Sequence, residues 1–136
     1  MTLYRRFQLS FLFFLEFFIW GGWFVTMGTF LSQEFNASGG QLALAYETQS
    51  IGAIIAPFVV GLIADRYLPL ERFLALLHLS SAVVMFFLAS ATTFAWFYPL
   101  VIAYLVLHMP TMGLSTAMCF HHISNPKRTF PRIRAW

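Results

Sequence analysis

Apolar residues run along this chain in four long stretches, Phe7–Leu31, Leu42–Ala64, Phe73–Ala91 and Trp96–Phe120, separated by short polar turns. A bilayer's hydrocarbon core is about 30 Å thick and an α-helix of about 20 residues crosses it, so each stretch predicts a transmembrane helix. A β-barrel needs alternating segments of about ten residues, whereas these runs are continuous and rich in Leu, Phe and Ala. The predicted fold class is all-α integral membrane. Beyond the fourth run, a link over His121–Pro131, with Asn125-Pro126 as its turn signal, leads into Arg132–Trp136, which reads as the start of a fifth span. A chain that stops at the threshold of a span reads as a truncated piece of a larger protein.

Composition agrees with a lipid environment. Of 136 residues, 60% are hydrophobic and only 10% charged, too few charges to cover the surface of a soluble domain. The first run is too long for a cleavable signal peptide and continues through Trp20, Trp23 and Phe24. The single cysteine, Cys119, excludes an intrachain disulfide. The net charge of +3 comes from basic residues that lie before or between spans: Arg5 and Arg6 before the first, Arg66 and Arg72 after the second, and Lys127, Arg128, Arg132 and Arg134 after the fourth. The alternate turns carry no Lys or Arg, so the positive-inside rule places the N terminus in the cytoplasm of a multi-pass plasma (inner) membrane protein, and no nucleic-acid partner is expected.

Glu16 lies about nine residues into the first run, roughly 13 Å deep by helical rise, where an acid is costly and functional by default. Trp20, Trp23 and Met27 follow at helical spacing and make one stripe with it, suited to a planar, hydrogen-bonding ligand; the bland reading is a protonated Glu bonded to a neighbouring helix beside ordinary packing tryptophans. Tyr104, His108, Thr111, Ser115, Cys119 and His122 share a face of the fourth run that should not look at lipid, and that either lines a cavity or joins helices. Pro110 and Gly113 predict a kink there. His78 reads as a neutral structural residue bonded to another helix or as part of a proton path. His121 and His122 diverge by about 100° on a helix, so no metal site is expected of them. No nucleophile is spaced to meet a base and no set of metal ligands appears, so neither an enzyme nor a cofactor is expected. Gly21, Gly22, Gly28, Gly52 and Gly61 are assigned to close helix packing. Asp65, Arg66 and Arg72, at a short turn, either latch helix ends as a gate or simply set orientation.

The turn Gly61-Leu62-Ile63-Ala64-Asp65-Arg66 resembles the G-x-x-x-D-R-x-G-R-R loop of the major facilitator superfamily, with Leu68 and Pro69 departing from it and only Arg72 supplying the basic end. Three further passages are similar to the nucleoside:proton symporters of that superfamily. They are Trp20-Gly21-Gly22-Trp23 with Gly28 (W-G-x-W, then Gly), Met109-Pro110-Thr111-Met112-Gly113-Leu114 (M-P-T-L-x-L), and Phe130-Pro131-Arg132-Ile133-Arg134-Ala135-Trp136 (F-P-x-I-R-x-W-G). Ser115-Thr116-Ala117 lacks the Asn of the family's T-N-S run. The resemblance implies a twelve-span protein of two similar halves, the second missing here, that takes up a nucleoside with a proton by alternating access. It makes Arg134 the substrate-binding arginine and puts Glu16 where the family keeps a polar residue in its first span. Taken with the reading of the residues above, the candidate substrate-binding residues are Arg134, Trp20, Trp23 and Thr111, and Glu16 is the proton-coupling candidate. The competing expectations are transport of another small solute, or a non-transporting membrane scaffold in which Glu16 and Arg134 tolerate Ala.

Overall fold

The structure is a computed structural model in which residues 3–60, 62, 69–123, 130, 131 and 133 are described, Val59 by its backbone only. Among the described residues, five helices with continuous bounds follow in chain order: α1 (Leu3–Phe24), α2 (Met27–Glu34), α3 (Gly39–Val59), α4 (Leu70–Ala89) and α5 (Phe94–His122). Among the described residues, Leu70–Ala89, Phe94–His122 and the α1–α2 stretch Leu3–Glu34 are long and apolar enough to cross a membrane. Helix α3 has a comparable length, 21 residues, but carries the polar run Tyr46-Glu47-Thr48-Gln49-Ser50 near its middle.

The first predicted span, Phe7–Leu31, falls within the apolar stretch Leu3–Glu34, but its helix is interrupted. Two residues, Val25 and Thr26, separate α1 from α2. A broken helix exposes backbone donors and acceptors that lipid cannot satisfy, so something inside the protein must. Tyr46 on α3 does both jobs: its hydroxyl donates to the Phe24 carbonyl at 3.3 Å and accepts from the Gly28 N–H at 3.0 Å. Thr26 Oγ1 reaches back to the Gly22 and Trp23 carbonyls at 3.0 and 3.1 Å. Helix α3 starts at Gly39 rather than Leu42 because Ser38 and Gln41 form a reciprocal capping box, at 2.9 and 3.3 Å. The turn before it is closed by Asn36 at φ 49°, a left-handed conformation that Asn tolerates.

Helix α5 is the central element, packed against α3 on one side and α4 on another, with α1 also against it. It runs as one 29-residue helix through both Pro99 and Pro110. Its contact with α3 is made possible by Gly52: a Cβ there would lie 2.8 Å from the Leu105 carbonyl oxygen. At Gly28 a Cβ would lie 2.9 Å from the Tyr46 hydroxyl, the end of a side chain rather than backbone, whereas a Cβ at Gly21 or Gly22 would meet nothing within 4 Å. The packing role assigned to those two from sequence is therefore not seen among the described residues, and Gly61 lies outside them.

Buried apolar residues gather at both ends of the bundle. Met27, Leu31, Ala45, Leu88, Phe97, Val101 and Leu105 fill the end near the α1–α2 break. Leu9, Phe13, Cys119, Ile123 and Ile133 fill the other, beside a third group of Phe73, Leu74, Leu77 and Leu114. Of the expected fifth span, 132–136, only Ile133 is among the described residues, and it is helical; Phe130 and Pro131, expected in the link, are helical too. Ile133 is buried, and the Phe130 ring meets Phe13 edge-on at 6.0 Å. On the opposite side of α1, Phe7, Phe11, Phe14 and Phe18 stack in a ladder with ring centroids 5.6 to 6.3 Å apart and remain exposed. An apolar ladder of this kind is what a lipid-facing surface requires.

Candidate functional site

Between the apolar ends lies a polar layer built by three helices. Helix α1 contributes Glu16, α4 contributes His78 and Ser81, and α5 contributes Tyr104, His108, Thr111 and Ser115. The α5 residues recur at steps of three and four, and so present one face; Tyr104, His108, Thr111, Ser115 and Cys119 are all buried, as a face turned away from lipid should be.

Glu16 is the hub. Only 1% of its surface is exposed, yet both carboxyl oxygens are engaged. Ser115 Oγ donates to Oε1 at 2.7 Å, and His78 Nε2 lies 3.1 Å from the same oxygen. Thr111 Oγ1 lies 3.0 Å from Oε2 and 2.7 Å from the His108 carbonyl. A threonine hydroxyl has one proton and two lone pairs, so Thr111 has two ways to serve this pair of partners. Facing a carboxylate, it donates to Oε2; facing a protonated carboxyl, it accepts from Oε2–H and donates to the His108 carbonyl. The site therefore holds Glu16 hydrogen-bonded in either protonation state.

The His108 ring stacks on Tyr104 at 5.2 Å and meets His78 at 6.2 Å. His108 is 1% exposed, and its Nε2 has no hydrogen-bond partner among the described residues. A cavity of about 410 Å³ opens beside this cluster, with Glu16, His78, Ser81, Tyr104 and His108 among its lining residues and Leu12, Leu15 and Ile19 around them.

The remaining sequence-predicted residues are distributed differently. Trp20, one turn along from Glu16, is half-buried, stacks on Phe24 at 5.1 Å, and has a buried indole N–H without a partner among the described residues. Trp23 meets Tyr104 edge-on at 4.9 Å, which ties the tryptophan stripe of α1 to the polar face of α5. Arg72 is exposed in the first turn of α4 beside Glu71. Asp65, Arg66 and Arg134 lie outside the described residues.

The sequence pattern placed Glu16, His78 and the α5 stripe on separate helices without joining them. Spacing along a chain reveals partners within one helix, and these partners come from three. Glu47, exposed in the polar run of α3, also went unremarked in the sequence.

Residues 3–136 match the profile of a family described as Nucleoside H+ symporter. Over 127 residues the chain is 42% identical to YegT of Escherichia coli (strain K12), covering 93% of this chain and 30% of YegT. It is 34% identical to the xanthosine permease of the same organism, over 90% of this chain and 30% of the permease. A crystal structure of the nucleoside transporter NupG superposes with a TM-score of 0.91 at 27% identity, covering 96% of this chain and 34% of that one. The chain thus spans about a third of the length of the relatives it matches.

Proposed function

We propose, from the premise that this chain belongs to the nucleoside H+ symporter family, that it forms the N-terminal part of a transporter that takes up a nucleoside together with a proton by alternating access. The chain is a multi-pass membrane protein of a transporter family. The inner membrane as its location, a cytoplasmic N terminus and a second half that completes the substrate cavity are parts of the proposal, supported by the distribution of Arg and Lys and by the share of its relatives that the chain spans.

The observation that carries the proton part is the double partnership of Thr111 with Glu16 and the His108 carbonyl. A buried acid that cycles between charged and neutral forms needs partners for both, because an unsatisfied polar group in a lipid-enclosed core is costly. His78 is a second protonatable group within hydrogen-bond distance of Glu16. Trp20, Trp23 and Arg134 are the proposed nucleoside contacts: the indoles offer flat surfaces and an unpaired donor, the guanidinium a fork of donors for carbonyl or ribose oxygens. Thr111 enters through its bond to Glu16, which couples proton occupancy to that stripe. Asp65, Arg66 and Arg72 are proposed as the gating turn.

The test is uptake of labelled uridine by cells lacking their own nucleoside transporters and expressing the complete transporter that contains this segment. An acidic exterior should accelerate uptake several-fold, a protonophore should remove the acceleration, and Glu16→Gln should leave uptake insensitive to the gradient. Wild-type uptake indifferent to the proton gradient would overturn symport. The 136-residue chain reconstituted alone is expected not to transport, having no second half to rock against.

A further inference from the structure

We propose that Glu16, His78 and His108 form a binding site for one divalent transition-metal ion of the zinc type, held by three protein ligands with a fourth position open toward the adjacent cavity. The inference goes beyond the transport reading and does not depend on it. One ligand atom from each of the three side chains falls within 4.8 Å of the others. Zinc bonds to nitrogen and oxygen are about 2.0 to 2.2 Å long, so neighbouring ligands of a tetrahedral ion sit about 3.3 Å apart. The Glu16 Oε1 to His78 Nε2 distance, 3.1 Å, is already close to such an edge. The His108 ligand atom lies within 4.8 Å of both, on the side of the third corner.

Three features distinguish this cluster from a chance gathering of polar groups. His108 is 1% exposed, with Nε2 lacking any partner among the described residues, so a lone pair or N–H stands buried and unused. The carboxylate is already oriented by hydroxyl donors, Ser115 on Oε1 and Thr111 on Oε2, as metal-ligating carboxylates are. The open side gives onto a cavity of about 410 Å³, room for water or an exogenous ligand. Imidazole nitrogens select zinc, cobalt, nickel or copper over magnesium and calcium, which take all-oxygen sets. Two neutral imidazoles and one carboxylate leave the ion with one positive charge, and a hydroxide or carboxylate in the open position neutralises it in the low-dielectric core. His121 and His122 make no equivalent site: their rings are 5.3 Å apart and nearly perpendicular, with His122 Nδ1 on the Met118 carbonyl.

Because the ligands come from α1, α4 and α5, the ion ties three helices together. The same nitrogen and oxygen lone pairs cannot hold a metal and a proton at once, so occupancy excludes protonation of the cluster.

The test is titration of the purified, detergent-solubilised chain, stripped with a chelator, with Co²⁺ as a spectroscopic probe. One equivalent should produce the intense visible absorption of four-coordinate Co²⁺, be displaced by Zn²⁺, and raise the thermal unfolding midpoint. Ser115→Ala should weaken binding about 10- to 100-fold. His78→Gln, at a position that is 30% exposed, should weaken it at least as much. The double variant His121→Ala/His122→Ala should bind as the parent does. A weak six-coordinate spectrum overturns the site, as does binding indifferent to His78→Gln or lost with the terminal histidine pair. Circular dichroism of each variant distinguishes lost ligation from lost fold.

Discussion

Helix α5 is held on its two sides by opposite means. Toward α3 the contact is bare backbone, with Gly52 set against the Leu105 carbonyl so closely that a methyl group would sit 2.8 Å from it. Toward α1 and α4 the contact is a hydrogen-bonded layer in which one carboxyl group receives Ser115, Thr111 and His78. Both solutions follow from the solvent. Lipid is as apolar as Leu, so greasy surface alone does not drive helices together, and association rests on close van der Waals fit and interhelical hydrogen bonds. The first means fixes a distance and tolerates no change of shape. The second fixes partners while allowing a proton to come and go.

Substitution on each side should expose the difference. Gly52→Val places a branched side chain against a backbone that cannot yield, and is expected to lower stability by about 3 kcal/mol, read as the shift in denaturing-detergent midpoint of the chain in mixed micelles. A shift no larger than that of Gly21→Val, where a Cβ meets nothing, would show that α3 and α5 do not approach at Gly52.

On the polar side, Thr111→Val and Ser115→Ala each remove one bond to Glu16 and should each lower stability by about 1 kcal/mol, since interhelical bonds in bilayers are worth roughly 0.6 to 2 kcal/mol. Combining them should be non-additive by about 0.5 kcal/mol or more, because both act on one carboxyl group. Strict additivity in the double-mutant cycle would mean the two hydroxyls do not share it.

A still smaller effect is expected on the outer ladder. Phe11→Ala removes a ring that is half-exposed and stacked only on its own helix, and lipid can take its place, so the midpoint should move by no more than about 0.5 kcal/mol. A larger loss would identify that face as covered by protein rather than lipid.

The amino-acid sequence by itself determined the solvent, the helical class and the buried face of α5. A scarcity of charge, long apolar runs and the three- and four-residue steps from Tyr104 to Cys119 are local patterns, and lipid enforces them because no unpaired backbone can face it. Family motifs on α1, α5 and the final segment were equally legible, being local words. The break at Val25–Thr26 was not, because Thr26 satisfies only the Gly22 and Trp23 carbonyls, and the hydroxyl that bridges Phe24 and Gly28 across the break belongs to Tyr46, on another helix. Nor was the start of α3, which depends on a reciprocal cap at Ser38 and Gln41 inside what reads as a loop. Glu16 was singled out for its depth alone, while its partners His78, Thr111 and Ser115, and the unpaired nitrogen of His108 beside them, stand 62 to 99 residues further on. Tertiary structure decided the site because hydrogen bonds act across a few ångströms of space, and only the packing of three helices brings such distant positions within that range.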